Sequence, residues 1–240
     1  MRLAVISDVH GNHLALEAVL ADIAAQSVDS TLNLGDSLSG PLEPTLAADM
    51  LIAAGIPTIA GNHDRYLVER GLPDLGRIDR FLMEKLALGH FDWLKSLPKT
   101  RVIDGAIFMC HGTPQSDEVP WLDNWMDGRR FALPDRTAVE ARAEGLDYPV
   151  LLCGHTHVPR VARLADGRLV VNPGSVGLQM NYGSPDAHYA LIERRGRNWS
   201  VSLRTVPYDR EAAAALAVRN GFPAWQEVLI GGWAAAEGLF

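Results

Sequence analysis

Residues 3–10 read LAVISDVH, in which an apolar run of strand length, Leu3 to Ile6, turns directly into the polar residues Asp8 and His10. A run this rich in apolar and β-branched residues predicts a buried strand. Aspartate and histidine are side chains that bind metal ions, and here they stand just past the strand. The stretch therefore predicts a buried strand that is followed directly by candidate metal ligands.

The same pattern recurs further along the chain. Asp36 follows the run Thr31 to Leu34, Asn62 and His63 follow Pro57 to Ala60, His111 follows Ala106 to Cys110, and His155 and His157 follow Val150 to Cys153. In α/β sheets, the turns that leave the carboxyl ends of the strands line a common crevice. We therefore expect these side chains to meet at one edge of the sheet.

Helical patterns alternate with these strands, which predicts an α/β fold. The candidate helices are Leu14 to Ala25, Leu46 to Ala54, Phe81 to Leu88 and Thr137 to Glu144. The second half predicts antiparallel hairpins, which pair Arg160 to Leu164 with Arg168 to Val171 and Tyr189 to Glu193 with Trp199 to Val206. A last helix, Arg210 to Arg219, precedes an apolar tail in which Trp225 and Trp233 are expected to pack in the core.

The set of candidate ligands combines carboxylate, imidazole and amide groups and contains no thiolate. Such donors suit Mn, Fe, Zn, Co or Ni, whereas structural zinc sites usually show paired cysteines. The candidate ligands are Asp8, His10, Asp36, Asn62, His111, His155 and His157. They are too many for one tetrahedral ion, and a bridging carboxylate would let them serve two ions with open positions for water and substrate. His13, His90 and His188 follow no strand in this way and are left out of the site.

Composition and charge indicate a globular chain that acts on small molecules. With 240 residues, 48% of them hydrophobic, and no flexible linker composition, residues 1–240 are expected to form one domain. The net charge of −7 disfavours binding to nucleic acid, and no basic stripe offsets it. The sequence predicts neither a signal peptide nor a membrane span, so a cytoplasmic location is expected. Cys110 and Cys153 are expected to be buried, reduced thiols.

Five ordered blocks of this sequence resemble the motifs of the calcineurin-like metallophosphoesterases. They are Asp8-Val9-His10, Gly35-Asp36, Gly61-Asn62-His63-Asp64, His111-Gly112 and Gly154-His155-Thr156-His157, with Asn172-Pro173-Gly174-Ser175 following. Among the subgroups, the chain looks most similar to the small bacterial phosphodiesterases of the YfcE-like type. The resemblance implies a four-layer αββα sandwich with two mixed β-sheets and with metals at the C-terminal edge of the strands.

The resemblance also implies a role for each block. The implied ligands are Asp8, His10 and His157 for a first metal, Asn62, His111 and His155 for a second, and Asp36 as the bridge. His63 is implied to bind no metal and to act as the catalytic residue that faces the scissile phosphate. The implied cofactors are two divalent cations, with Mn favoured and Fe, Zn, Ni or Co open.

The implied activity is hydrolysis of a phosphate ester by a hydroxide between the two metals. A small or nucleotide-like phosphodiester is the favoured substrate. A phosphomonoester, a phosphoprotein and a non-catalytic scaffold of the same fold are the alternatives, and a homo-oligomer is possible. Neither a membrane nor a nucleic acid is expected as a partner.

The second block departs from the protein Ser/Thr phosphatases of the superfamily. Those enzymes continue into Asp-Arg-Gly, whereas this chain continues as Ser37-Leu38-Ser39-Gly40-Pro41. The acid that orients the catalytic histidine is therefore missing from this place. Asp64 is a candidate for that function, although a capping role at a helix start is favoured. Arg65 is interpreted as an exposed residue in the first turn of a helix, with a contact to the substrate phosphate as the alternative.

The segment 113–131 contains Trp121 and Trp125 among acidic and proline residues. It predicts a loop over the site. The tryptophans are expected to pack against the domain, with stacking on a base or aryl group of the substrate as the alternative.

Overall fold

The computed structural model describes residues 1–126, 130–180, 183–233 and 239. Its strands form two mixed sheets and one short separate hairpin. The strands are β1 (Arg2–Ile6), β2 (Ser30–Asn33), β3 (Thr100–Ile103), β4 (Ile107–Cys110), β5 (Asn124–Met126), β6 (Arg130–Ala132), β7 (Val150–Leu152), β8 (Arg160–Arg163), β9 (Leu169–Asn172), β10 (Ala187–Arg195) and β11 (Asn198–Val206). The helices are α1 (His13–Ala24), α2 (Pro44–Ala53), α3 (Asn62–Glu69), α4 (Arg77–Lys85), α5 (Leu88–Ser96), α6 (Arg136–Arg142), α7 (Arg210–Arg219) and α8 (Ala224–Gly231).

The first sheet has the strand order β11-β10-β1-β2. Strands β1 and β2 are parallel, with Val5 opposite Leu32, whereas β10 is antiparallel to both β1 and β11. The second sheet has the order β3-β4-β7-β9-β8. Its central strands β4, β7 and β9 are parallel, and β3 and β8 close the two edges in antiparallel pairings.

The two sheets pack face to face because alternate side chains of each strand point to opposite faces. Leu3 and Val5 of β1 share one core with Ile107 and Met109 of β4, which places that core between the sheets. The intervening Ala4 and Ile6 belong to a second core that includes residues of α1, α2, α7 and α8. Phe108 and Cys110 belong to a third core with α6. The result is a four-layer αββα sandwich, as the resemblance implied.

Burial on both faces explains why these strands are apolar throughout rather than alternating. Residues 107–110 of β4 and 150–152 of β7 are all buried. Cys110 and Cys153 are free and buried in the outer core of the second sheet, as predicted.

Two of the predicted elements take a different form in the structure. The run Pro57 to Ala60 forms an isolated bridge from Thr58 to Asn33 instead of a strand, since Ala60 N turns to the carbonyl of Pro98. The helix predicted over Phe81 to Leu88 is replaced by α4 and α5, which meet at an extended Leu86.

At the C-terminal end, Trp225 is fully buried as expected. Trp233, by contrast, is 54% exposed and does not pack in the core. None of the described helices is long and apolar enough to cross a bilayer.

Candidate metal centre

The loops that leave β1 and β2 run side by side and present their polar residues together. Asp8 N donates to the carbonyl of Gly35 at 2.9 Å, and His10 N donates to the carbonyl of Asp36 at 3.0 Å. The parallel pairing of the two strands thus continues past their ends. It brings Asp8, His10 and Asp36 to the same edge of the first sheet.

Most of the candidate ligands adopt a left-handed backbone conformation. The φ angles are 55° at Asp8, 47° at His10, 51° at Asp36, 70° at His155 and 61° at His157. Such a conformation costs roughly 1–2 kcal/mol for a residue with a Cβ atom, although Asp and His tolerate it better than most residues. Strain repeated at one sheet edge marks it as a functional site.

Two glycines allow the loops to approach the carboxylates. A Cβ atom at Gly61 would lie 2.1 Å from Oδ1 of Asp36, and a Cβ atom at Gly154 would lie 2.9 Å from Oδ2 of Asp8. Both distances are far inside van der Waals contact. Glycine is therefore required at both positions if the carboxylates are to stay where they are.

Asp8, His10 and His157 form a first buried group whose potential ligand atoms all lie within 4.8 Å of one another. His157 Nε2 is 3.4 Å from Oδ1 of Asp8 and 3.1 Å from Nε2 of His10. The three residues come from the exits of β1 and β7, which belong to different sheets. This site therefore joins the two halves of the sandwich.

Asp36, His111 and His155 form a second group with the same spacing. His111 Nε2 is 3.1 Å from Oδ2 of Asp36. His155 Nδ1 is 3.0 Å from Oδ1 of Asn62, so the amide joins this group at its edge. The two groups adjoin, because His111 Nε2 is also 3.8 Å from Oδ1 of Asp8.

The described residues suit a bound cation at both groups. His10 Nδ1 faces the carbonyl of Ser39 at 2.7 Å, and His111 Nδ1 faces the carbonyl of Leu34 at 2.8 Å. Because a carbonyl only accepts, both Nδ1 atoms carry hydrogen, and each Nε2 turns into the site as a metal ligand would. Among the described residues, the buried Oδ1 of Asp8 has no hydrogen-bond partner. A cation would satisfy it.

The surroundings shift the pKa values of the histidines in the two groups in opposite directions. Burial alone would lower the pKa of His111, but Asp36 and Asp8 outweigh it and raise this pKa to about 10. Burial and the neighbouring His157 lower the pKa of His10 to about 3, and burial together with His111 lowers the pKa of His155 to about 4. His10 and His155 are thus neutral imidazoles near pH 7, which is the form that binds metals.

His63 lies beside both groups. Its backbone N–H donates to Oδ1 of Asp36 at 2.8 Å, and its ring centroid is 5.6 Å from that of His10. Its Nδ1 is 4.0 Å from Oδ1 of Asp79, an ion-pair distance longer than a hydrogen bond. Burial would lower the pKa of His63, but Asp36 and Asp79 outweigh it and raise this pKa. The protonated form is thereby favoured.

Asp79 is a functional candidate that the sequence did not reveal. It is 5% exposed and accepts a hydrogen bond from Oγ of Ser39 at 3.1 Å. It lies in the first turn of α4, where an acidic residue is expected merely from the helix dipole. Only the three-dimensional packing brings it to His63.

Asp64 caps a helix, as the favoured interpretation had it. Its Oδ2 accepts from N of Gly61 at 3.1 Å, and its Oδ1 accepts from N of Ser37 at 3.0 Å. Both oxygens are thus used to hold the start of α3 against the loop after β2. Asp79, and not Asp64, faces His63.

Arg65 does not match the exposed residue expected from the sequence. Its side chain is 19% exposed and forms ion pairs with Asp117, Glu118 and Glu69. Three carboxylates therefore compete with any substrate phosphate for this guanidinium.

Residues 113–118 line a cleft with His111, and Glu118 contacts His155 of the second group. The rest of the predicted loop includes strand β5 (Asn124–Met126), and residues 127–129 are outside the described part of the chain. Trp121 is buried in the third core, and its Nε1 donates to the carbonyl of Val139 at 3.2 Å, which confirms packing for this residue. The environment of the Trp125 side chain is also outside the described part.

His90 lies away from both groups and pairs with Asp49.

A sequence profile of the calcineurin-like phosphoesterase superfamily domain matches residues 1–196. The chain belongs to this superfamily. Its members are metal-dependent phosphoesterases, so the family accounts for the mixed carboxylate, imidazole and amide donors at the sheet edge.

Similar solved structures cover most of the chain. A metallophosphoesterase from Sphaerobacter thermophilus is 28% identical, with a TM-score of 0.77, and the match covers 97% of this chain and 99% of that one. A hypothetical protein from Pyrococcus horikoshii has the same fold at 22% identity, with a TM-score of 0.77 and coverage of 98% and 99%. The YfcE phosphoesterase from E. coli is also among the similar structures, at 21% identity and a TM-score of 0.46, with 86% of this chain and 100% of that chain covered.

A protein of known sequence but uncharacterised function, from Methanocaldococcus jannaschii, is 25% identical over 246 residues. The match covers 93% of this chain and 94% of that protein. This match extends past residue 196, where the family profile ends.

Proposed function

We propose that this chain hydrolyses a small, nucleotide-like phosphodiester with the help of two divalent cations, Mn²⁺ being the favoured ion. The observation that carries the proposal is the pair of adjoining groups, Asp8, His10, His157 and Asp36, His111, His155, each with its ligand atoms within 4.8 Å. The proposal treats residues 1–240 as one metallophosphoesterase domain.

In this proposal Asp8, His10 and His157 hold one cation, and His111, His155 and Asn62 hold the other, with Asp36 between them. When bound, such cations polarise phosphoryl oxygens and lower the pKa of water so that hydroxide is available near pH 7. In this proposal His63 acts on the leaving oxygen of the ester. Its raised pKa suits it to donate a proton to the leaving oxygen, on which negative charge grows as the bond breaks.

Three features support a small diester as the substrate class. Arg65 is occupied by carboxylates and does not offer its guanidinium to the extra charge of a phosphomonoester dianion. A cleft of about 290 Å³ beside His111 is lined by polar groups that include Thr100, Gln115 and Ser116. The net charge of −7 disfavours a polynucleotide.

The test compares the wild-type protein with Asp36→Asn. Asparagine tolerates the φ of 51° at this position, so the variant removes charge while it keeps the backbone. We expect metal-depleted wild type to take up two Mn²⁺ ions and to cleave bis-p-nitrophenyl phosphate faster than p-nitrophenyl phosphate. Asp36→Asn should lose metal and activity together, as measured by elemental analysis and hydrolysis rate.

Two of the alternatives give results that differ from this expectation. Faster cleavage of the monoester would favour a phosphomonoesterase. Two bound metals without hydrolysis of either ester would favour the non-catalytic scaffold. Full metal occupancy in Asp36→Asn would contradict the bridging role of this carboxylate.

A further inference from the structure

The loop 113–119, here called the flanking loop, folds back over the strand end that carries His111. A Cβ atom at Gly112 would lie 2.6 Å from the carbonyl oxygen of Ser116 and 2.7 Å from that of Val119. The loop is closed by a mutual backbone pair, since Thr113 N donates to Ser116 O at 2.7 Å and Ser116 N donates to Thr113 O at 3.2 Å. The flanking loop thus begins as a tight turn pressed against Gly112.

The far end of the flanking loop contacts His155. The carbonyl of Glu118 is 3.0 Å from Nε2 of His155. Both ring nitrogens of His155 face oxygens that only accept, the Glu118 carbonyl at Nε2 and the Asn62 amide oxygen at Nδ1, and a neutral, metal-binding imidazole carries one ring hydrogen. With that hydrogen on Nε2 toward Glu118, Nδ1 presents its lone pair beside Oδ1 of Asn62, as two ligands of one cation would lie. That Nδ1 is the atom that faces Oδ1 of Asn62 at 3.0 Å, within the second group. The position of one loop carbonyl therefore selects which nitrogen of His155 is turned to the metal site.

Arg65 holds this end of the loop. Its Nε donates to Oδ2 of Asp117 at 2.6 Å and its Nη2 to Oδ1 at 2.9 Å, a two-pronged contact of the strong, geometrically specific kind. Nη2 also donates to Oε1 of Glu118 at 2.8 Å, and Tyr66 Oη donates to the same oxygen at 2.6 Å.

Arg65 and a ligand of the second group share one helix. Asn62 is the first residue of α3, and Arg65 follows one turn later on the same helix. Helix α3 therefore reaches the second group twice, directly through Asn62 and indirectly through Arg65, the flanking loop and His155. A rigid helix that sets both contacts fixes Asn62 and His155 relative to each other.

We propose that Arg65 and Asp117 are a positioning pair that locks the flanking loop and so presets His155 as an Nδ1 ligand of the second metal. The inference rests on the proposed function, because it needs a second cation at this place. Partners that orient a metal-binding histidine typically contribute 10–100-fold to metal affinity. The first group, which the loop does not orient, should be unaffected.

The test follows Mn²⁺ binding to metal-depleted protein by calorimetric titration. Wild type should show two binding steps, and His155→Ala identifies the step that belongs to the second group. Arg65→Gln should weaken that same step about 10-fold or more and leave the other step within about twofold. Asp117→Asn is the second variant, because it removes the ionic contact from the loop side while helix α3 stays intact.

Glu69→Gln is the matched control. Glu69, on α3, also pairs with Arg65, at 3.4 Å, and with Lys99, at 3.9 Å. Within the described part of the chain, it has no hydrogen bond or ion pair to the flanking loop. It should therefore leave both binding steps unchanged. If folded Arg65→Gln and Asp117→Asn bind both metals like wild type, or if both steps weaken equally, the positioning role is wrong. A wild-type protein that binds fewer than two metals would overturn the proposed function itself, and the inference with it.

Discussion

His63 is the residue whose proposed chemistry can be separated from metal binding. It contacts Asp36 through its backbone N–H and Asp79 through its ring, and it belongs to neither group of candidate ligands. A residue in this position can help the leaving oxygen without changing the metal content. Its contribution should therefore depend on how much help that oxygen needs.

We predict that His63→Gln shows a leaving-group effect. The p-nitrophenolate ion leaves without help, whereas a ribose alkoxide is strongly basic and needs a proton. Because general acid catalysis contributes about 10²–10⁴-fold, the variant should lose close to that factor on a nucleotide diester and clearly less on the aryl ester. Steady-state kinetics on both substrates measures the ratio. An equal loss on both would assign His63 to binding or site geometry instead.

Asp79 should act only through His63. Asp79→Asn keeps an oxygen that can accept from Ser39 but removes the charge that favours protonated His63. We expect the same leaving-group pattern as in His63→Gln with a smaller loss on the diester. The double variant should be no slower than His63→Gln alone, since coupled residues do not add. Additive losses in this cycle would show that Asp79 acts independently of His63.

The sequence indicated the site residues that follow strands, but it did not indicate Asp79, which lies in the first turn of a helix. A polar residue at a strand exit has a known place in an α/β fold, so His111 and His155 could be expected near each other. The position of Asp79 depends on how α4 packs against α2 and α3. That packing has no local signal in the sequence.

At the level of elements, the buried strands were predicted well because apolar runs covered on both faces are conspicuous. The run Pro57 to Ala60 was wrongly predicted as a strand for the same reason, because it is apolar. Its backbone forms hydrogen bonds partly with Asn33 and partly with the carbonyl of Pro98, so no regular strand pairing develops. The break between α4 and α5 was missed since neither proline nor glycine marks it at Leu86. Tertiary contacts decide such boundaries.

Gly61, the residue before α3, lies close to Asp36 in the loop after β2. This contact between two loops can be tested by substitution. Gly61→Ala would place a Cβ atom 2.1 Å from Oδ1 of Asp36, and the carboxylate must move. We expect metal content and diesterase activity to fall together by at least about 10-fold, the scale seen when the surroundings of a metal ligand are disturbed.

Gly89→Ala is the control for this substitution. A Cβ atom at Gly89 in α5 would meet no atom within 4 Å. The control should keep its metals and gain about 0.4–1 kcal/mol of unfolding free energy, because alanine restricts the unfolded chain. Gly61→Ala with unchanged metal content would show that the loops at the site adapt more easily than this packing indicates.

At the scale of the whole molecule, the sandwich places the exits of two sheets at one edge. The first sheet contributes Asp8, His10 and Asp36, and the second contributes His111 together with the loop of His155 and His157. The sequence alone indicated the buried strands β1, β2, β4 and β7 and the polar residues at their exits, although it missed β3 and wrongly predicted a strand at Pro57 to Ala60. The face-to-face pairing of the sheets came from the resemblance, because no local pattern states which sheet a strand joins.

The central claim is that these two groups hold two metals side by side. The most direct measurement is a crystal structure of the Mn²⁺-loaded protein with anomalous diffraction data. We expect two anomalous peaks about 3.5–4 Å apart, one among Asp8, His10 and His157 and one among Asn62, His111 and His155, with Asp36 between them. A single peak, or a second cation bound away from His111 and His155, would contradict it.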